Sequence, residues 1–436
     1  MNDLPTITGA NSANSSRQES RWSRLWRWLA GLLAAVLVIG GATYWRQSLI
    51  SKRLENECRR LEAARDWSRL LATAQEWRRW EPLRREPLKA GVAACRALRQ
   101  PASMAAFLRA WPKETAEDVP WLSMLAELQF DPLRQPAGGA ATCREMIRLD
   151  PRDLSARQRL IFFDAVTMQP VSLLDDVRDA ARSACDAPEF YVYAFLIDGL
   201  RLNNALDRLQ KWMSTGRNDE LLMVAYAMHS ARNLEGSIPS VEEQHAAALR
   251  RSQEQRAGYL QQLRIMFPEN HEVLAYDLEQ AVQAGHSFIA AELLSRAKPL
   301  ADRDHRFWRA RGWLLMRAGN LEGAGEAFRE ARAIHPLDWR LRHYLADWER
   351  RRGNLSEAEA AQRLAARGRA LESNLLAMPD VRSIPGETLR RMAVFATDCG
   401  ATLYADRIRH HADARDSEPD SSGAGQHSPM RPESPP

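Results

Sequence analysis

W-R-A-R-G-W-L-L, from Trp308 to Leu315, is followed by Gly319, by A-G-E-A-F from Ala324 to Phe328, by Ala331 and by Pro336. The same residue types return on either side at one interval. Gly285, Gly319 and Gly353 stand 34 residues apart, as do Ala290, Ala324 and Ala358, and Ala297, Ala331 and Ala365. Each copy therefore reads as two helical stretches joined at a glycine. The small residues let helix backbones approach, and Gly319 and Gly353 sit where a first helix must end, in a turn that glycine tolerates. Pro336 closes the second helix. One such pair cannot bury its apolar face alone, so neighbours must stack into a continuous core. Three unrelated hairpins with chance spacing are the alternative, and several position types recurring in register across three copies argue against it.

This 34-residue pattern of Trp, Gly, large apolar, Gly, Ala, Phe, Ala and Pro resembles the tetratricopeptide repeat (TPR). The resemblance implies an all-α, TPR-type helical-pair solenoid, a right-handed superhelix, preceded here by one transmembrane helix. Weaker copies extend outward from the clear ones. Residues 61–77 form a helix, a turn and a second helix before Pro82. Residues 86–99 with 102–111, 120–130 with 138–149, 154–167 with 171–185, 188–200 with 203–213, and 219–232 with 240–266 continue the rhythm. Leu389–Ala396, with Gly400 and Ala405, reads as a last capping pair. The expected domains are a disordered basic tail (1–24), a transmembrane helix (25–46), degenerate TPR-like pairs (50–270), three clear repeats (271–372), a linker with a capping helical pair (373–414) and a disordered tail (415–436). Nothing reads as alternating β-strand.

Between Trp28 and Trp45 the chain reads W-L-A-G-L-L-A-A-V-L-V-I-G-G-A-T-Y-W, without one charge. That is close to the length that spans a bilayer core. Trp26, Trp28, Tyr44 and Trp45 suit the two interfaces. Arg17, Arg21, Arg24 and Arg27 precede the run and favour a cytoplasmic N-terminus; Arg46, Lys52 and Arg53 on the far side weaken the charge bias. The expectation is a single-pass inner-membrane signal anchor, with the TPR array on the periplasmic or extracytoplasmic side. A cleaved signal peptide around Gly40 and Ala42 would be unusually long, and a buried core helix fits less well.

Five scattered cysteines, Cys58, Cys95, Cys143, Cys185 and Cys399, do not form a disulfide framework. Cys58 and Cys95 fall at inward-looking helix positions, where the thiol acts as a small apolar group. The chain has no C-x-x-C, no H-E-x-x-H and no phosphate-cradling loop; G-N-L-E-G-A-G from Gly319 to Gly325 joins two helices rather than a strand and a helix. Asp406 and His410, with His411 and Asp413, are the nearest approach to a metal cluster, and a solvated helix end is the plainer reading. The sequence offers no catalytic site, no metal site and no cofactor site, and an enzyme domain of roughly 100–150 residues has no room left.

In TPR proteins the first helix of each pair lines the inner groove. Carried over by register, the groove positions are Arg306, Arg309, Trp313, Met316 and Arg317, then Arg340, His343, Asp347, Arg350 and Arg351, beside the more acidic Glu272, Ala275, Glu279, Val282 and Gln283. Arginine forks suit carboxylates and phosphates, so the expected partner is a protein carrying an acidic segment, held against a basic groove with Trp313 available for stacking. A solvated charged face is the bland alternative. Trp313 and Asp347 depart from the Asn found in TPR clamps for C-terminal carboxylates. Charge also bounds the partner: 61 basic against 56 acidic side chains give a net charge of only +5, interspersed, which speaks against nucleic acid. Bacterial proteins with one anchor and a TPR array are similar in layout, including those attending translocation machinery and cytochrome c maturation. The function expected is a membrane-anchored scaffold in envelope assembly or secretion. A ligand- or lipid-binding solenoid with an aliphatic pocket is the second reading, and an enzyme-associated subunit the third. Two mutational expectations follow: Gly319→Leu loses the turn and close packing there, and Arg309→Glu with Arg350→Glu leaves melting nearly unchanged while abolishing partner binding.

Overall fold

The computed structural model describes residues 45–82, 84–202, 204–214, 219–235, 257–297, 299–378 and 380–417, with Trp28, Leu32, Leu33, Val38 and Glu254. Among the described residues there is no strand. No described helix is long and apolar enough to cross a membrane. The candidate span Trp28–Trp45 lies, but for five residues, outside the described part, as do residues 1–24, 240–253 and 418–436, while 415–417 belong to the last helix. The chain divides into two compact units, one ending at Pro112 and one beginning at Lys113.

In the first unit, α1 (45–63) is followed by α2 (Trp67–Trp80), α3 (Arg85–Ala97) and α4 (Pro101–Arg109). Leu70, Ala74, Trp77, Leu88, Cys95, Phe107 and Leu108 are fully buried between them. Gly91 of α3 lies against the Phe107 ring, where a Cβ would come within 2.4 Å. The burial of each large apolar side chain contributes about 1.5–3 kcal/mol.

The second unit runs through α5 (Val119–Phe130), α6 (Pro136–Leu149), α7 (Leu154–Val166), α8 (Pro170–Arg182), α9 (Pro188–Leu196), α10 (Ala205–Met213), α11 (Glu220–Glu235) and α12 (257–266). It continues with α13 (His271–Gln283), α14 (Ser287–Ser295), α15 (His305–Arg317), α16 (Leu321–Ile334), α17 (Trp339–Arg351), α18 (Leu355–Leu376), α19 (Gly386–Asp398) and α20 (Thr402–Ser417). The three glycine repeats are α13/α14, α15/α16 and α17/α18, and α18, at 22 residues, runs past residue 372.

Gly285, Gly319, Gly353 and Gly400 all have φ between 76° and 85°. Arg65, Arg99, Arg134 and Met168 hold the same left-handed conformation, with φ between 50° and 55°. They too stand 34, 35 and 34 residues apart. Except at Arg134, where Gln135 N reaches back to Gln129 O, the backbone closes the helix end the same way: Gly319 N donates to Met316 O and Asn320 N to Leu315 O, as Arg99 N does to Arg96 O and Gln100 N to Cys95 O. The repeat period thus continues into the first half of the chain through residues other than glycine, at a cost of about 1–2 kcal/mol per turn. The Gly–Phe contact recurs as well: Gly312 of α15 takes the Phe328 ring within 2.3 Å of where a Cβ would stand, at the same 16-residue separation as Gly91 and Phe107. At Gly319 no atom lies within 4 Å of such a Cβ. Gly319 therefore serves the turn alone, and the close packing expected there belongs to Gly312.

The second unit departs from a solenoid in which each pair meets only its neighbours. Helix α9, P-E-F-Y-V-Y-A-F-L, is apolar on every side and buried from Phe190 to Leu196. It packs against α7 and α8 before it in sequence and against α18 and α20 far beyond it. The Phe195 and Phe395 rings meet edge to face at 5.4 Å, and Tyr191 and Tyr404 at 5.7 Å. Asp186 at the entry to α9 takes Arg407 Nη2 at 2.5 Å and His411 Nε2 at 3.0 Å, which fastens the terminal helix. His411, singled out with Asp406, His410 and Asp413, is thus hydrogen-bonded to Asp186. All five cysteines are buried and free; burial pushes the Cys58 and Cys95 thiols up to about 11 and that of Cys143 to about 12.

Candidate functional site

Asn270, Asp304 and Asp338 begin α13, α15 and α17 at the repeat interval, and each caps its helix with its side chain. Asp304 Oδ1 accepts from Arg306 N at 2.9 Å, and Asp338 Oδ1 from Arg340 N at 2.9 Å and Leu341 N at 3.1 Å. Each Asp still has a free carboxylate oxygen, and it turns to an arginine. Arg306 Nη2 donates to Asp304 Oδ2 and to Glu272 Oε1, both at 2.6 Å. Arg309 Nη1 donates to Asp338 Oδ2 at 2.5 Å and to Asp198 Oδ2 at 2.8 Å. Asp198 lies two residues beyond α9, so the chain's own segment fills the face where a partner's acid was expected.

His305 completes this cluster, with Nε2 3.0 Å from Asp198 Oδ1. Burial opposes its charge, but Asp198, Asp338 and Asp304 outweigh burial and raise its affinity for the proton. His335 meets His305 edge to face at 4.6 Å, and burial with that neighbouring cation lowers it to about 3, so it stays neutral. Burial works against the Asp198 and Asp338 carboxylates too, yet His305 and Arg309 hold both below the usual range. Asp198, His305 and Asp338 bring one ligand atom each within metal-ligating distance of the others, as do His271, Glu272 and Asp304. Arg309 bridges the two carboxylates of the first group and Arg306 those of the second, so a guanidinium already stands where a metal cation would.

This geometry changes the reading of the sequence-predicted groove. Arg306 and Arg309 are each 5% exposed and Trp313 is 7% exposed, so none of the three offers itself to a partner. Arg340 donates to Glu372 Oε1 at 2.8 Å. His343 packs edge to face on Trp339 at 5.6 Å; burial, then Arg369, Arg340 and Arg350, lower its proton affinity. Arg317 is exposed, stacked 5.4 Å over Trp313 and without an ion-pair partner among the described residues. Arg350 pairs with Asp347 at 3.1 Å, and Arg351 donates to Met316 O at 3.2 Å, each with nearly half its side chain in solvent. The positions at the C-terminal ends of α15 and α17 are therefore open, and those at the N-terminal ends are closed. The expectation that Arg309→Glu would spare stability is overturned, because Arg309 neutralises two buried carboxylates.

The sequence reading missed Asp198, Asp304, Asp338 and His305. Asn270, Asp304 and Asp338 were visible as capping residues in repeat register; no local signal tied Asp198 to them.

A second feature of the same unit is an open cavity of about 520 Å³ between α7, α9, α10 and the end of α18. Tyr193, Leu196, Leu202, Leu375 and Met378 contribute apolar wall. Arg201, Arg208 and Arg382 stand around it with Asp380.

Among the described residues the secondary structure is helical, and helix pairs are TPR-like in their repeat interval, glycine turns and Gly–Phe contacts. No protein-family model and no curated protein matches the chain. Among solved structures it is similar to a chain of the APC/C hetero-tetramer Cut9-Hcn1, at 12% identity over 83% of this chain and 76% of that chain, with a TM-score of 0.31. Yeast Tom70 is similar at 12% identity over 84% of this chain and 89% of that chain, with a TM-score of 0.25.

Proposed function

We propose that this chain is a protein-binding scaffold that holds an acidic partner segment on the exposed ends of α15 and α17. The observation that carries the reading is the contrast among its arginines. Those at the start of each first helix are consumed by internal carboxylates, whereas Arg317, stacked on the Trp313 ring, and Arg350 and Arg351 at the far end of α17 reach solvent. Exposed guanidinium groups stacked or held from one side lose little freedom on meeting a carboxylate. The uncharged run from Trp28 to Trp45 supports a membrane anchor with a cytoplasmic N-terminus, and the cell envelope as the setting, in assembly or secretion. The reading is of a scaffold and not of an enzyme.

Affinity capture from detergent-solubilised membranes tests this, with wild type beside Arg317→Glu/Arg350→Glu and mass spectrometry as readout. A protein retained by wild type and lost with the double variant supports the reading. Equal recovery by a variant that melts as wild type does rejects these arginines as the contact surface. Carbonate extraction of the wild-type membrane fraction tests the anchor: retention in the pellet is expected, and release rejects it.

A further inference from the structure

Buried and half-buried arginines of the second unit are answered by a carboxylate, as Arg157 by Asp179, Arg306 by Glu272, Arg309 by Asp338, Arg340 by Glu372 and Arg407 by Asp186, or by backbone carbonyls, as Arg232 by Ile197 O and Arg342 by Pro336 O and Cys399 O. Around the 520 Å³ cavity this rule fails. Arg201, Arg208 and Arg382 have no ion-pair partner among the described residues. Arg201 is half-buried, and its Nε is shut off from solvent with no hydrogen-bond partner among the described residues. Arg208 lies 5.5 Å over the Phe162 ring and 6.0 Å from that of Trp212, which fixes its guanidinium from one side. Arg382 is anchored through its backbone, N to Asp380 Oδ1 at 2.9 Å and O from Arg415 Nη2 at 2.7 Å, with its side chain exposed. Three positive charges thus face one carboxylate, that of Asp380, across a space of ligand size.

Below these arginines the wall is apolar. Phe162, Leu376, Met378 and Val381 are half-buried and offer the cavity apolar surface, backed by the buried core side chains Leu196, Leu375, Tyr193 and Leu202. Burial followed by Glu189 pushes the Tyr193 hydroxyl up to about 12, so it stays neutral and competes for no cation. A basic rim over an apolar floor recognises a molecule with the matching division: one anionic head and one apolar body. An uncharged apolar molecule leaves the arginines unanswered, and a small inorganic anion leaves the floor wet.

We infer that this cavity binds an anionic amphiphile, its head held by Arg201, Arg208 and Arg382 and its chain laid along Phe162, Leu376, Met378 and Val381. A carboxylate head or a phosphate monoester head satisfies the same guanidinium geometry; the chain is single, since the cavity admits one. This is a small-molecule site distinct from the open ends of α15 and α17 that carry the proposed protein contact.

The test is isothermal titration of the full-length protein, below the micelle concentration of each probe, with dodecanoate, dodecyl phosphate, dodecanol and dodecyltrimethylammonium. One equivalent of either anion is expected to bind, at least tenfold more tightly than the alcohol, with the cation not binding. Tighter binding of the carboxylate than of the phosphate, or the reverse, says which head the site is built for. Arg382→Gln, at an exposed side chain, is expected to weaken the preferred anion about tenfold while melting as wild type does, and Arg201→Gln more so. Arg317→Gln, on α15, is the control and leaves binding unchanged. Equal affinity for dodecanol and dodecanoate, or anion binding that neither Arg382→Gln nor Arg201→Gln weakens, overturns the inference.

Discussion

Replacing Arg309 by Glu removes the cation that joins two helix-capping and chain-linking carboxylates and adds a third negative charge beside them. Arg309 Nη1 stands 2.8 Å from Asp198 and 2.5 Å from Asp338, with Glu279 at 3.7 Å from Nη2. Breaking a buried pair by removing one partner costs about 3–5 kcal/mol, because the remaining charge is left unanswered. Asp338 also caps α17, so part of the loss falls on that helix. For a unit of this size ~1 kcal/mol moves the melting point by roughly 2–4 °C, so a fall on the order of 10 °C is expected. Circular dichroism melts of wild type, Arg309→Glu and Arg350→Glu decide the matter. Arg350, on the surface with the half-exposed Asp347 and with Gln362 Oε1, should change stability by less than about 1 kcal/mol. Arg309→Met/Asp198→Asn/Asp338→Asn should recover part of the loss, since it removes the two carboxylate charges that Arg309→Glu leaves unanswered. If Arg309→Glu melts within about 2 °C of wild type, the cluster is not closed as described and Arg309 returns to the groove.

Three further outcomes are expected. Gly312→Ala puts a Cβ 2.3 Å from the buried Phe328 ring. The overlap costs about 1–3 kcal/mol against a helix-propensity gain of about 1; urea unfolding should show net destabilisation, and pairing with Phe328→Leu a total smaller than the sum. Ala184, exposed and at φ 50°, should gain about 0.5–1 kcal/mol when changed to Gly, read as a higher urea midpoint. Asp164 is buried beside Asp176, and burial with that neighbouring carboxyl pushes it up to about 9. Its folded state therefore holds a proton that the unfolded chain releases near pH 4, so this group's contribution is full at lower pH and falls steadily as pH rises to about 9. Asp164→Asn should flatten that slope and raise the melting point at pH 8 more than at pH 5; an unchanged slope would contradict the shared-proton reading.

The fold was legible wherever the helix turns use glycine. Gly285, Gly319 and Gly353 announce the period, and α13 to α18 follow it. The same turn at Arg65, Arg99, Arg134 and Met168 leaves no residue-type signature, since the neighbouring helices impose the left-handed backbone and absorb its cost. The helix periodicity of those pairs still showed, so their boundaries differ from the sequence reading by only a few residues. The site was less legible. Register correctly put Arg306 and Arg309 on the inward side of α15, but it could not say that the inward side was already occupied. That depends on α9, more than 100 residues away, and on Asp198 after it. The unpartnered arginines of the cavity were equally hidden, because Arg201, Arg208 and Arg382 come together only through the return of α18 onto α9.

Photo-crosslinking in membranes tests the scaffold claim most directly, with a photoreactive residue placed at 317, at 351 and, as control, at the exposed Glu330 on α16. The account expects one discrete adduct from 317 and 351, absent at 330 and suppressed by Arg350→Glu. Adducts equal at all three positions, or none at 317 and 351, would contradict a partner held on the ends of α15 and α17.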